Sequence, residues 1–262
     1  MRIANKVWVV TGAGSGMGRE LTEQLLAKGG RVAAVDRSDE GLARFAGRAS
    51  ISTHVVDITD KDAVNALPQA VLDAHGHVDG VINNAGIIQP FDNVIDLDDA
   101  TVDRVLNVNL YGTLSMCRAF LPHLVARQEA HLVNVSSMGG FFPFPGQTIY
   151  GASKAAVRLL SEGLFTELVD TPVQVSVIFP GAVKTEITRN SGVEDPAAEA
   201  QVNVPMLSPA KAAAQMIAGI EKNKLHIYVG VDSKLMSLAT KIAPRPAFLF
   251  VQKQMSKRLG QD

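Results

Sequence analysis

Lys6–Gly18 reads KVWVVTGAGSGMG, and this stretch decides the fold. Its first half is a run of apolar and β-branched residues of the length of a buried strand. Its second half, Thr11–Gly18, holds four glycines. The chain beyond takes helical spacing through Leu21, Leu25 and Leu26 until Gly29-Gly30 stops it. Strand, glycine turn and helix in that order let a backbone approach a pyrophosphate. Glycine has no Cβ to hold it off, and the helix N-terminus offers free N–H groups and the positive end of its dipole. Gly12 and Gly14 fit G-x-G-x-x-G, but Met17 stands where the third glycine belongs, whereas Thr11, Gly12, Gly16 and Gly18 fit TGxxxGxG throughout. A strand–helix turn that holds no ligand can have the same composition, so the rest of the chain must carry the reading.

Outward from this stretch the alternation repeats. Arg31–Asp36, Ser52–Val56, Gly80–Asn83, His131–Val135, Gln174–Phe179 and His226–Val229 read as strands. Between them Ser38–Arg48, Asp60–His75, Asp98–Val125, Thr148–Val169 and a stretch opened by Ser208-Pro209 read as helices, with Thr59 or Asp60 as a cap. Such alternation builds a parallel sheet covered on both faces. The expected fold is therefore α/β, a single-domain doubly wound (Rossmann-type) sheet of about seven strands flanked by helices, over residues 1–262. Residues 181–207 lack periodicity and read as a substrate lid. The tail 243–262 carries two prolines, which are expected to break any helix at its start. Its cluster Phe248–Val251, followed by Lys253, Lys257 and Arg258, is expected to pack on the crevice or a neighbouring subunit rather than lie on a membrane.

Composition narrows the function. The 262 residues hold 25 Lys+Arg against 26 Asp+Glu, and 47% are apolar. That supports a full core and, with no basic block, argues against nucleic acid as a partner. The single cysteine, Cys117, excludes an intramolecular disulfide framework and any multi-cysteine zinc site, and the six histidines show no ligand spacing, so no metal is expected. No apolar run approaches the roughly 18 residues of a membrane span, and Met1–Val10 does not read as a secretory signal. A cytoplasmic location is the expectation.

Three further patterns carry chemistry. Asp36, at the end of the second strand, can accept both ribose hydroxyls of an adenosine and would repel a 2′-phosphate. Arg37 could attract that phosphate, but Ser15 adds no second cation, so NAD is favoured over NADP. Tyr150 and Lys154 lie at i and i+4 on one helix face, where an ammonium lowers the pKa of a phenol and suits it to proton transfer. Ser136-Ser137 follows the fifth strand, at the sheet edge where α/β folds bind ligands.

With these motifs in order, the chain resembles the short-chain dehydrogenase/reductase family from Lys6 to about Val229. The set is TGxxxGxG, Asn83-Asn84-Ala85-Gly86, Asn109, Ser137, YxxxK and Pro180-Gly181. The family's spacing between serine and tyrosine selects Ser137 over Ser136. The resemblance implies a catalytic set of Asn109, Ser137, Tyr150 and Lys154, with Asn109 holding a water in a proton relay that ends at Lys154. It implies cofactor contacts from Gly12, Ser15, Gly16, Met17, Gly18, Asp36, Arg37, Asp57, Ile58, Asn84, Ala85, Gly86, Tyr150, Lys154, Pro180, Gly181, Val183 and Thr185. It also implies a homotetramer built on the helices of 98–125 and 148–169. The activity expected is hydride transfer between NAD(H) and an apolar secondary alcohol or ketone, since Phe91, Phe141, Phe142, Phe144, Met206 and Leu207 line the candidate walls. A catalytically silent dinucleotide-binding regulator and an enoyl reductase are the alternatives.

Overall fold

In the computed structural model, which describes residues 1–193 and 206–259, the first strand runs Val7–Thr11 (β1) and is buried along its whole length. It lies between β2 (Arg31–Asp36) and β4 (Gly80–Asn83), parallel to both. With β3 (Ile51–Val55), β5 (Ala130–Val135), β6 (Val173–Pro180) and β7 (His226–Val229), the described residues form one seven-stranded sheet in the order β3-β2-β1-β4-β5-β6-β7. Every pairing in it is parallel. The winding direction reverses between β1 and β4, and a crevice opens at the carboxyl ends of strands at such a reversal.

Alternate residues of β1 feed two cores, because successive strand side chains point to opposite faces. Trp8 and Val10 join Leu21 and Leu25 of α1 (Gly16–Ala27) and Met216 and Ile220 of α8 (Pro209–Glu221). Val9 joins Val64 and Leu67 of α3 (Lys61–His75) and Met116 and Phe120 of α5 (Thr113–Val125). Each such side chain contributes about 1.5–3 kcal/mol on burial, and both sheet faces are covered, so the ladder's polar groups are shielded from competing water. Cys117 sits in the second core, where burial pushes its thiol up to about 12. The caps follow local chemistry. Asp60 accepts from Asp62 and Ala63 N–H at the start of α3, and Ser208 accepts from Lys211 N–H ahead of Pro209 at the start of α8.

Four expectations change. The helix expected over Ser38–Arg48 is one turn, α2 (Asp39–Leu42), followed by a 3₁₀ turn, Ala43–Phe45, because Gly41 and Gly47 give it little helical support. The long helix of Asp98–Val125 is α4 (Asp99–Leu106) and α5 joined by a π-helical segment, Asn107–Gly112. Within 181–207 a short helix, α7 (Ile187–Ser191), forms, while residues 194–205 of the expected lid lie outside the described residues. Lys184 N donates to Leu207 O at 2.9 Å and Leu207 N to Ala182 O at 2.8 Å, which closes that segment at its base. The tail does not begin with a broken helix. After α9 (Val231–Ile242), α10 runs Pro244–Leu259. Both prolines fall in its first turn, where an N–H would have no intrahelical acceptor in any case.

Candidate active site

Helix α6 (Thr148–Glu167) packs against β5 and β6 and carries Tyr150 and Lys154 to the end of β5, where Lys154 Nζ meets Val135 O. The site has two parts, one at the β1–β4 reversal and one where α6 meets the end of β5.

At the reversal, Gly12 and Gly16 adopt left-handed φ of 66° and 50°. A Cβ at Gly18 would stand 1.9 Å from Gly12 O, so the loop can fold back onto α1 only with glycine there. Thr11 Oγ1 accepts from Asn84 N at 3.0 Å and Ala85 N at 3.1 Å, and Asn84 Nδ2 donates to Thr11 O at 3.0 Å. The threonine and asparagine of two separate motifs thus bind the ends of β1 and β4 together. Asp36 Oδ2 accepts from Gly14 N at 2.8 Å and Oδ1 from Ser38 N at 3.0 Å. These groups open on a cleft of about 700 Å³ lined by Gly12, Gly14, Ser15, Asp36, Arg37, Asp57, Ile58, Ala85 and Gly86. A Cβ at Gly14 would press on Asp36 Oδ2 and Gly41 Cα, each at 3.0 Å. The bare backbone, the carboxylate and the elongated cleft fit a dinucleotide: pyrophosphate at the glycine turn, ribose at Asp36.

At the second part, Ser137 follows β5, its Oγ accepts from Gly139 N at 3.0 Å, and a Cβ at Gly139 would meet Tyr150 Cε1 at 3.3 Å and Ser137 Oγ at 3.4 Å, so the two side chains flank this glycine. Lys154, one turn beyond Tyr150, is 4% exposed and donates from Nζ to Val135 O at 3.0 Å. Burial brings its ammonium down to about 8. Burial also raises the Tyr150 phenol above its ordinary value, with the Ser137 hydroxyl pulling the other way. The π-helical segment places Asn109 behind this pair. Its Oδ1 accepts from Ile87 N at 2.9 Å, and Nδ2 donates to Ile87 O at 2.9 Å and Ser153 Oγ at 3.0 Å. A Cβ at Gly86 would lie 3.0 Å from Lys154 Nζ and 3.1 Å from Asn109 Oδ1, so this glycine joins the cleft to the second part.

The other candidates spread around these centres. Met17 packs into the core, leaving its backbone to the loop. Asp57 Oδ1 accepts from Thr59 N and Oγ1, and Ile58 is buried against Gly112. Thr185 faces Gly16, while Gly181 lies against Asp232 and Val183 bridges to Leu207. Phe142 is buried against Phe144 and Phe248, and Phe141 packs edge-on to Phe179 and Tyr228. The expected aromatic wall is therefore spent in good part on packing its own loop.

Several contributors escape the motif reading. Gln89 is fully buried, and its Oε1 accepts from Ile149 N at 2.8 Å and Tyr150 N at 3.0 Å. Its Nε2 donates to Gly146 O at 2.9 Å, while Gln147 Nε2 donates to Gln89 O at 2.9 Å. Gln89 caps the helix that bears Tyr150 from across the crevice. The segment around α7 is latched in similar fashion. Asn190 Nδ2 donates to Ser15 Oγ at 2.8 Å, Arg37 Nη2 to Asn190 O at 3.1 Å, and Arg104 Nη1 to Ser191 O at 2.9 Å. Arg19 and Arg44 also line the cleft.

The family model described as short chain dehydrogenase matches residues 6–196. The chain is 35% identical over 250 residues to the "Putative oxidoreductase SadH" of Mycobacterium tuberculosis, covering 90% of each. Among solved structures it is similar to a short chain dehydrogenase/reductase from Burkholderia phymatum in complex with NAD (29% identity, TM-score 0.81, 87% of this chain and 90% of that one). It is equally similar to a short chain dehydrogenase from Burkholderia cenocepacia J2315 in complex with NADP (28% identity, TM-score 0.80, 99% of both chains).

Proposed function

Because the chain belongs to the short-chain dehydrogenase family, an oxidoreductase family with NAD or NADP bound in its solved relatives, we propose that it interconverts an apolar secondary alcohol and its ketone with NAD(H). The observation that carries this is the placement of the Ser137 hydroxyl and the Tyr150 ring side by side around Gly139, one helical turn from a buried Lys154 and beside a glycine-lined cleft.

A bound nicotinamide dinucleotide would supply or accept the hydride. Gly12, Ser15 and Gly16 would hold its pyrophosphate at the start of α1, and Asp36 would take the adenosine ribose. Tyr150 exchanges the proton with the substrate oxygen, and Ser137 donates a hydrogen bond to that oxygen as charge develops on it. Lys154 is the buried cation nearest the phenol in sequence, and Asn109 holds the Gly86–Ile87 backbone against it. NAD is preferred because the Asp36 carboxylate would stand against a 2′-phosphate, a like-charge contact. A single domain with its lid over 181–207 and a cytoplasmic location complete the reading. A homotetramer is supported by exposed apolar residues on the expected contact helices, Tyr111, Leu159 and Phe165.

The test is a panel of apolar secondary alcohols and ketones with NAD(H), run on wild type and Tyr150→Phe. The variant is expected to lose about 10²–10⁴-fold in kcat while still binding NADH. Wild-type turnover in the variant rejects the assignment. Tight NADH binding with no turnover by the wild type on any carbonyl favours a regulator.

A further inference from the structure

The last two helices present a face that this reaction does not use. Leu235, Leu238 and Ile242 of α9 and Phe250 of α10 line an outward groove of about 440 Å³, together with Pro246. Those four side chains are each more than half exposed. The opposite side of the hairpin is held by the rest of the chain. Ser233 Oγ donates to Phe179 O at 2.8 Å, Ala182 N donates to Asp232 Oδ2 at 2.7 Å, and the Phe248 ring meets Phe142 edge-on at 5.7 Å. Within the tail Phe248 packs on Phe142, and Leu249 and Phe250 are left in solvent.

Charge identifies what the face fits. From Ser233 to Gln261 the chain carries six cations, Lys234, Lys241, Arg245, Lys253, Lys257 and Arg258, and no Asp or Glu. The chain as a whole has a net charge of −1, so this segment is opposite in sign to the remainder. We propose that the α9–α10 hairpin docks on an anionic membrane surface, with the groove residues entering the headgroup region and Lys234, Lys241, Arg245 and Lys253 meeting lipid phosphates. Apolar burial plus attraction to anionic lipid is the combination that holds an interfacial helix, and neither part alone gives firm binding. A second copy of the chain fits this face less well. A two-fold contact sets the same patch against itself, and here that would bring cation against cation. No helix among the described residues is long and apolar enough to cross a membrane, so the attachment is peripheral.

The experiment is co-sedimentation of the full chain with vesicles of phosphatidylcholine alone and of phosphatidylcholine with roughly one-third phosphatidylglycerol. Binding is expected to the anionic vesicles and to weaken as salt is raised. Lys234→Gln/Lys241→Gln/Lys253→Gln should lower the partition coefficient about a hundredfold, at roughly fivefold per cation. Leu238→Glu/Phe250→Glu should abolish sedimentation, with solution activity and light-scattering mass unchanged. Failure to bind the anionic vesicles overturns the proposal, as does equal binding to neutral ones. A change of mass in the Leu238→Glu/Phe250→Glu variant also overturns it and assigns the face to a second copy.

Discussion

Replacing Gln89 by methionine removes the cap of the catalytic helix while keeping the length of the side chain. The residue is fully buried, so water does not readily substitute for what is lost. Two backbone donors, Ile149 N and Tyr150 N, lose their acceptor, and Gly146 O loses a donor. Each buried group left unpaired costs about 1–3 kcal/mol, and partial relaxation brings the sum for the three to about 3 kcal/mol. In a domain of this size that is a fall of roughly 6–12 °C in Tm, at about 2–4 °C per kcal/mol. The second effect is on chemistry. Tyr150 is itself one of the two uncapped residues, and a misplacement near 1 Å can cost about 10²-fold in rate. The loss should appear in kcat with KM little changed. Gln89→Glu keeps the acceptor for both N–H groups but loses the donor to Gly146 O and places a carboxylate in a buried site, so it should recover most of the kcat while remaining clearly less stable than wild type. Urea unfolding, thermal melts and steady-state kinetics on the three proteins decide it. A Gln89→Met protein within about 1 °C of wild type, or equal losses of kcat in both variants, refutes the capping argument.

Gly18→Ala puts a Cβ 1.9 Å from Gly12 O, a backbone atom that cannot swing aside, and NADH fluorescence titration should show binding weakened by about 10² or more. Asp36→Asn keeps an acceptor for Gly14 N but removes the charge, and the NADP-to-NAD ratio of kcat/KM should rise at least about tenfold; an unchanged ratio removes Asp36 from the specificity argument. Burial holds Lys154 at about 8 in the fold, against about 10.4 in the unfolded chain. Between those values the unfolded state keeps the proton that the folded state has released, so this group makes the fold gain stability as pH rises. The raised Tyr150 pKa opposes that gain only above its ordinary value near 10. Urea midpoints at pH 8 and pH 9.5 should therefore show a rise worth about 2 kcal/mol in wild type that Lys154→Met lacks, and an identical slope in both proteins contradicts the assignment.

The central strands were legible because they are buried on both faces, and a parallel strand so placed is written as a continuous apolar run such as VWVVT or GVIN. The caps were legible for the same reason of locality: Asp60 and Ser208 bond to N–H groups within their own first turns. Segments shaped by distant neighbours were not legible. Residues 38–48 have helical composition, yet Gly41 is held against Gly14 of the nucleotide loop, and that contact sets how far the turn can continue. The π-helical segment of 107–112 is also fixed from outside, since both ends of the Asn109 amide are bonded to Ile87.

The site divides along the same line. Ser137 and Tyr150 meet because one ends a strand and the other starts the next helix, and that much follows from their spacing. Their electrostatics do not. An i,i+4 pair on a helix suggests a cation that acidifies its phenol, but burial penalises both charged forms, and the Lys154 ammonium gives its hydrogen bond to Val135 O. Burial lowers the Lys154 pKa and raises that of Tyr150, shifts that the i,i+4 spacing by itself does not show. The helix N-terminus shows the same dependence on distance. Gln147, at the cap position, makes no capping bond to α6, and the acceptor comes from Gln89, about sixty residues earlier in the chain. A loop that follows β4 thereby fixes the position of Tyr150. The glycine-lined cleft and Tyr150 are held in register by one buried amide, and no periodicity or motif in the chain records it.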